Sequence, residues 1–163
     1  MKKALISLLL IVAAVFSFTV PAFADTYYAT QTTEYIYTDD GGYIAIELVT
    51  YGKKQCGEDR SLTSYTVNGD KNVSKYNSSN ELIWRYTLYG TFSVENGVSA
   101  VCTNASYDTV VNASSWSFSD CAATASGNTA YGVGTAKHKI LFITVETVEI
   151  DIGISCDVYG NLS

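Results

Sequence analysis

Histidine, proline and methionine occur once each in these 163 residues, and charged side chains make up only 16% of them. The single histidine, His138, lies between Lys137 and Lys139. A serine or cysteine triad needs a histidine base and an orienting acid. No G-x-S-x-G nucleophile elbow occurs either, so a histidine-based hydrolase is not indicated. Ten Lys and Arg against sixteen Asp and Glu leave a net charge of −6, which excludes the basic footprint of a nucleic-acid binder. Helical periodicity is nearly absent: beyond the N-terminal segment, no stretch keeps an i, i+3, i+4, i+7 apolar pattern over three turns. Low charge does not mean disorder, because 47% of the residues are apolar, enough to bury a core.

The proline and methionine both fall in the first 24 residues. Met1-Lys2-Lys3 is a short positive segment, Ala4 to Val20 is an uncharged apolar run, and Pro21 with Ala22-Phe23-Ala24 makes a small-x-small end. This is the pattern of a secretory signal peptide cleaved after Ala24. The expected organisation is therefore a leader over 1–24 and one domain over 25–163. No later run is long enough to span a bilayer, so no membrane contact is expected after cleavage. The product is expected to be secreted or associated with the cell envelope.

Four cysteines in an exported chain read as disulfides. Cys56, Cys102, Cys121 and Cys156 are too far apart for C-x-x-C zinc pairs. Cys102 and Cys156 fall on apolar strand faces. Cys121 falls opposite Trp116 and Phe118, and Cys56 lies in a polar loop. Face parity thus pairs Cys102 with Cys156 inside and Cys56 with Cys121 near the surface, with a free thiol at Cys56 or Cys121 as the alternative. The inner bond would close a loop of about 55 residues, worth roughly 4 kcal/mol by chain entropy.

What the chain does have is strand pattern, with Tyr, Thr, Val and Ile alternating between breaks at Gly, Asn and Asp. Val148, Ile150, Ile152, Ile154, Cys156 and Val158 share one face. Glu149, Asp151, Gly153, Ser155 and Asp157 share the other. Tyr43–Tyr51 alternates likewise, and Asp39-Asp40-Gly41-Gly42 predicts a hairpin from Tyr27–Thr38 into it. Ser61–Val67 and Val73–Tyr76 read as two short strands around Asn68-Gly69-Asp70. Leu82–Val94 carries Trp84, Tyr86, Leu88, Phe92 and Val94 on one face. Val98–Tyr107, Ser115–Ser126, Thr129–Lys137 and Ile140–Val145 follow. Eight to ten strands at this spacing predict an all-β, antiparallel two-sheet sandwich. Cys102, Trp116 and Cys156 have immunoglobulin-like spacing, but Ile154 stands where a tyrosine corner needs Tyr.

From Tyr76 to Ser163 the chain resembles small exported proteins of Gram-positive, Clostridia-like bacteria with no established function. The resemblance is carried by Asn77-Ser78-Ser79, Leu82-Ile83-Trp84, Gly90-Thr91-Phe92, Cys102-Thr103, Tyr107-Asp108 and Ser115-Trp116. It continues through Ala125-Ser126-Gly127-Asn128-Thr129-Ala130 and the end from Cys156 to Ser163. It implies an exported β domain in which Cys102 and Cys156 are the recurrent pair, with Cys56 and Cys121 a local addition. It implies no activity.

No catalytic constellation stands out. Glu47, Glu81, Glu95, Glu146, Glu149 and Asp151 could supply paired carboxylates for glycoside hydrolysis, yet none sits in a distinctive motif. Asp39–Gly42 and Glu58-Asp59 do not follow an EF-hand loop. Gly132-Val133-Gly134 lacks the helix that a phosphate-cradling loop needs. No cofactor or metal is expected. The surplus is tyrosine, thirteen in all. Tyr35 and Tyr37 share one strand face, and Tyr43, Glu47 and Tyr51 share the wet face of the next. Tyr pairs a flat apolar body with a polar tip, suited to stacking on sugar rings or to a protein contact. The expectation is a non-catalytic exported module binding a cell surface, a glycan or a protein. A self-assembling extracellular structural protein and a small secreted hydrolase are the alternatives.

Overall fold

The computed structural model describes residues 27–53 and 64–163; the leader, Cys56 and Glu58-Asp59 lie outside the described residues. Within them the alternation resolves into eight antiparallel strands. These are β1 (Tyr27–Tyr37), β2 (Tyr43–Lys53), β3 (Ser64–Tyr76), β4 (Leu82–Glu95), β5 (Ser99–Val111), β6 (Trp116–Ser126), β7 (Thr129–Ile140) and β8 (Ile143–Ser155). They form two sheets, β1-β2-β3-β4-β5 and β6-β7-β8, packed as the expected sandwich. Each sheet is a simple meander, so the immunoglobulin-like spacing does not extend to immunoglobulin topology.

The core follows from the pattern in β4. Trp84, Tyr86, Leu88, Phe92 and Val94 are all fully buried and meet Trp116, Ala130, Ala136, Ile150 and Ile154 from the smaller sheet. Each large side chain buried there contributes roughly 1.5–3 kcal/mol. The smaller sheet lies over β3, β4 and β5. The inner face of β1 stays uncovered, and Thr32, Glu34 and Ile36 are exposed.

Three departures from the sequence reading have local causes. The break expected at Asn68-Gly69-Asp70 does not exist; β3 runs straight through it. Gly69 serves close approach, since a Cβ there would overlap Leu162 Cδ1. Next, Ile140–Val145 is interrupted by a two-residue turn, Leu141-Phe142, with Ile140 paired to Ile143. Both turn residues have positive φ (49° and 69°), the conformation of a type I′ hairpin. Left-handed backbone costs non-glycine residues roughly 1–2 kcal/mol each. Finally, the last strand ends at Ser155, and the tail folds back so that Ser155 and Ser163 exchange backbone hydrogen bonds of 2.9 and 3.0 Å.

Cys121 is also corrected. Pairing between β6 and β7 slips between Ser119 and Ala122, and Asp120 takes φ 56°. This bulge shifts the strand's phase by one residue. Cys121 therefore rejoins the Trp116 and Phe118 side and packs over Gly134, partly buried against the core.

Candidate functional site

Register unites tyrosines that the sequence places on separate strands. Tyr37 lies opposite Tyr43, Tyr35 opposite Ala45, and Tyr43 opposite Tyr76. Directly opposed residues share a face, so all four rings stand on the outer, solvent side of the larger sheet. Tyr43 is the hub. It stacks on Tyr76 at 4.9 Å between ring centroids, meets the edge of Tyr35 at 5.7 Å, and lies 6.2 Å from Tyr37. Its hydroxyl hydrogen-bonds Asn80 Oδ1. Burial among these rings, with the neighbouring phenols and Glu47 adding, pushes the Tyr43 phenol above its ordinary range. Tyr37 is 81% exposed.

A second aromatic pair lies on the same face at the far end of β2. Tyr51 is eight residues from Tyr43, about 27 Å along an extended strand. Its phenol lies beside the Asp70 carboxylate, and Tyr89 lies opposite Asp70 on β4. Burial raises the Asp70 carboxyl, and the Tyr51 hydroxyl opposes that shift.

Between the two groups runs a polar strip. Gln31 Nε2 donates to Glu47 Oε1 at 3.2 Å, and Thr87 Oγ1 donates to Asn72 Oδ1 at 2.7 Å. Arg85 lies flat across the sheet, donating from Nε to Ser74 Oγ at 2.9 Å and from Nη2 to the Tyr76 hydroxyl at 3.4 Å. The face thus offers flat apolar rings at both ends and fixed amide, carboxylate and guanidinium groups between them. All five expected surface residues, Tyr35, Tyr37, Tyr43, Glu47 and Tyr51, lie on it. Tyr76, Tyr89, Asp70, Asn72 and Arg85 belong to it too. Even-position alternation from Asn68 to Tyr76 was the signal for the β3 members, masked by reading Asn68-Gly69-Asp70 as a turn.

The other titratable groups are placed differently. Lys75, on the inner face of β3, is almost fully buried between Asp40 and Glu146, and its Nζ lies 5.2 Å from the Trp116 ring centroid. His138 stacks on Trp116 at 4.9 Å and 2° and points Nδ1 toward Glu146 Oε2 at 3.9 Å. Glu81 accepts a hydrogen bond from Asn77. Under the β1–β2 overhang lies an open cleft of about 720 Å³, where Glu34 and Asp151 line the wall with Ile46, Leu48 and Lys71. Lys71 Nζ is engaged with the Gly153 carbonyl at 2.9 Å. Among the described residues, no group of three or more His, Cys, Asp or Glu could hold a metal ion.

Among the described residues Cys102, Cys121 and Cys156 are free thiols, so the expected Cys102–Cys156 disulfide is not formed. Cys102 and Cys156 are both buried and flank one turn: the Cys102 amide donates to Gly127 O and the Cys156 amide to Asn128 O. Burial, with Asp157 and Cys102 nearby, pushes the Cys156 thiol up to about 11. The pairing of Cys121 with Cys56 lies outside the described residues.

Compared with known proteins, the chain matches no protein-family model and shows no significant similarity to a curated protein or to a solved structure.

Proposed function

We propose that this chain is an exported, non-catalytic module that holds a cell-surface polysaccharide against the outer face of its larger sheet. The observation that carries this is the arrangement on that face, with Tyr43 ringed by Tyr35, Tyr37 and Tyr76 at one end and Tyr51 beside Asp70 at the other. Aromatic rings take the apolar faces of sugars, and the polar strip between them matches hydroxyl groups. An open sheet face with rings at both ends suits an extended chain of several sugar units better than a single small molecule. The leader pattern at 1–24 and the resemblance over 76–163 support export. On export, thiol–disulfide exchange would convert Cys102 and Cys156 to a disulfide while a partner disulfide becomes two thiols.

Retention on purified insoluble polysaccharides and cell walls tests the proposal. The wild type is retained, and Tyr43→Ala combined with Tyr51→Ala lowers retention at least tenfold while circular dichroism is unchanged. No retention on any wall fraction, or equal retention of the variant, overturns it. Concentration-dependent oligomers in sedimentation, without retention, favour the self-assembling alternative.

A second reading, a small hydrolase, rests on Glu34 and Asp151 lining one cleft. Release of reducing ends from a polysaccharide, lost in Asp151→Asn, would favour it.

A further inference from the structure

The β7–β8 hairpin ends in four consecutive apolar residues that the fold does not use. Ile140 is 53% exposed, Leu141 85%, Phe142 100% and Ile143 68%. The turn residues suit this backbone poorly. A type I′ turn favours Asn-Gly, yet Leu141 and Phe142 occupy its two positive-φ positions. Strain and apolar exposure therefore coincide at one point, and neither benefits the isolated fold. The hairpin's base is firmly held, since His138 stacks on Trp116, the Lys139 amide donates to Ser115 O at 2.8 Å, and Glu146 is paired with buried Lys75.

We propose that this tip inserts into the interfacial layer of a phospholipid bilayer and docks the domain there peripherally. Four features favour a bilayer over a protein partner. The tip is convex, so a fluid phase can close around it on all sides. Its apolar part is short: Leu141-Phe142 and the Ile140–Ile143 rung are followed at once by the polar Lys139–Thr144 rung. That depth matches the outer 5–10 Å that interfacial anchors occupy. Lys139, with Lys137 behind it, can reach lipid phosphates; Lys137 also has Asp120 at 3.9 Å on the surface. At the same end of the sandwich, where Asp40 of the β1–β2 turn reaches Lys75, Tyr37 is exposed in the manner of interfacial aromatics. The absence of a second long apolar run argues only against a membrane span. A hairpin tip needs only these four residues. The proposal does not rest on the sugar-binding face.

The test is co-sedimentation of the purified protein with phosphatidylcholine vesicles, alone and with phosphatidylglycerol, its mass recording whether residues 1–24 are present. The wild type partitions onto vesicles. Leu141→Asn combined with Phe142→Gly places the preferred residues in the turn. It should cut partition at least tenfold while the melting temperature holds or rises. Phe142→Ser alone should weaken partition severalfold. Absence of wild-type binding to both vesicle types overturns the proposal, as does equal binding of the double variant, which would place the contact elsewhere, residues 4–20 included. A fall in melting temperature in the double variant also overturns it, because the tip would then serve the fold. Self-association of the wild type that the double variant abolishes, without vesicle binding, makes a second copy the occupant and overturns it as well.

Discussion

Lys75 Nζ lies 2.8 Å from Glu146 Oε1, joining β3 of the larger sheet to β8 of the smaller across 71 positions of sequence. Asp40 completes the arrangement at 3.2 Å, and the Trp116 ring lies beside the ammonium. The two sheets are therefore closed at this end by a buried cation as well as by apolar packing. Removing the acid should cost more than replacing the base, because a buried ammonium would lose its shorter ion pair. Glu146→Gln should lower stability by about 1–2 kcal/mol, the carboxylate being partly exposed, whereas Lys75→Met should cost less than about 1 kcal/mol. Urea unfolding of both variants checks the order.

Asp40 gives the domain a pH dependence of defined sign. Hydrogen bonds from Thr38 and the Gly42 amide, with Lys75 adding, lower its carboxyl from 3.8 to about 2. The ionised form is favoured on folding, so the stabilisation is present above pH 4 and lost as pH falls toward 2. The melting temperature of the wild type should drop more steeply across that window than that of Asp40→Asn. Parallel curves for the two proteins would remove Asp40 as the cause.

In the reduced protein, Cys156 should resist alkylation. Its thiol, pushed up to about 11, carries almost no thiolate near pH 8. Labelling with iodoacetamide, read by peptide mass spectrometry, should be at least tenfold slower at Cys156 in the folded protein than after unfolding in urea.

Gly69 and Leu162 should be coupled. Gly69→Ala forces a Cβ onto the Leu162 side chain and should cost about 1–3 kcal/mol. In a Leu162→Ala background the same change should cost less than about 1 kcal/mol, because the obstructing atoms are gone. If Gly69 served a turn instead, the two costs would be equal.

These residues also show where sequence was informative. Strict period-2 alternation from Trp84 to Val94 and from Val148 to Ile154 announced buried strand faces, because a two-sheet fold covers one side of each strand. The Asp120 bulge, which turns Cys121 inward, depends on pairing with β7 and leaves no local composition signal. The Leu141-Phe142 turn carries none of the residues by which hairpin turns are recognised. Tyr35, Tyr37, Tyr43, Glu47 and Tyr51 were legible as surface residues one strand at a time. Their assembly with Tyr76, Asp70 and Tyr89 is a property of register across four strands, which no single segment encodes.

The outer face is tested most directly by following tyrosine ring resonances by NMR during titration with soluble cell-wall oligosaccharides. Binding there should shift the rings of Tyr37, Tyr43, Tyr76, Tyr51 and Tyr89 together. Tyr86, fully buried with its hydroxyl donating to Ala122 O, should stay still. Shifts confined to residues around Glu34 and Asp151, or no shifts with any wall oligosaccharide, would contradict a sugar-binding role for this face.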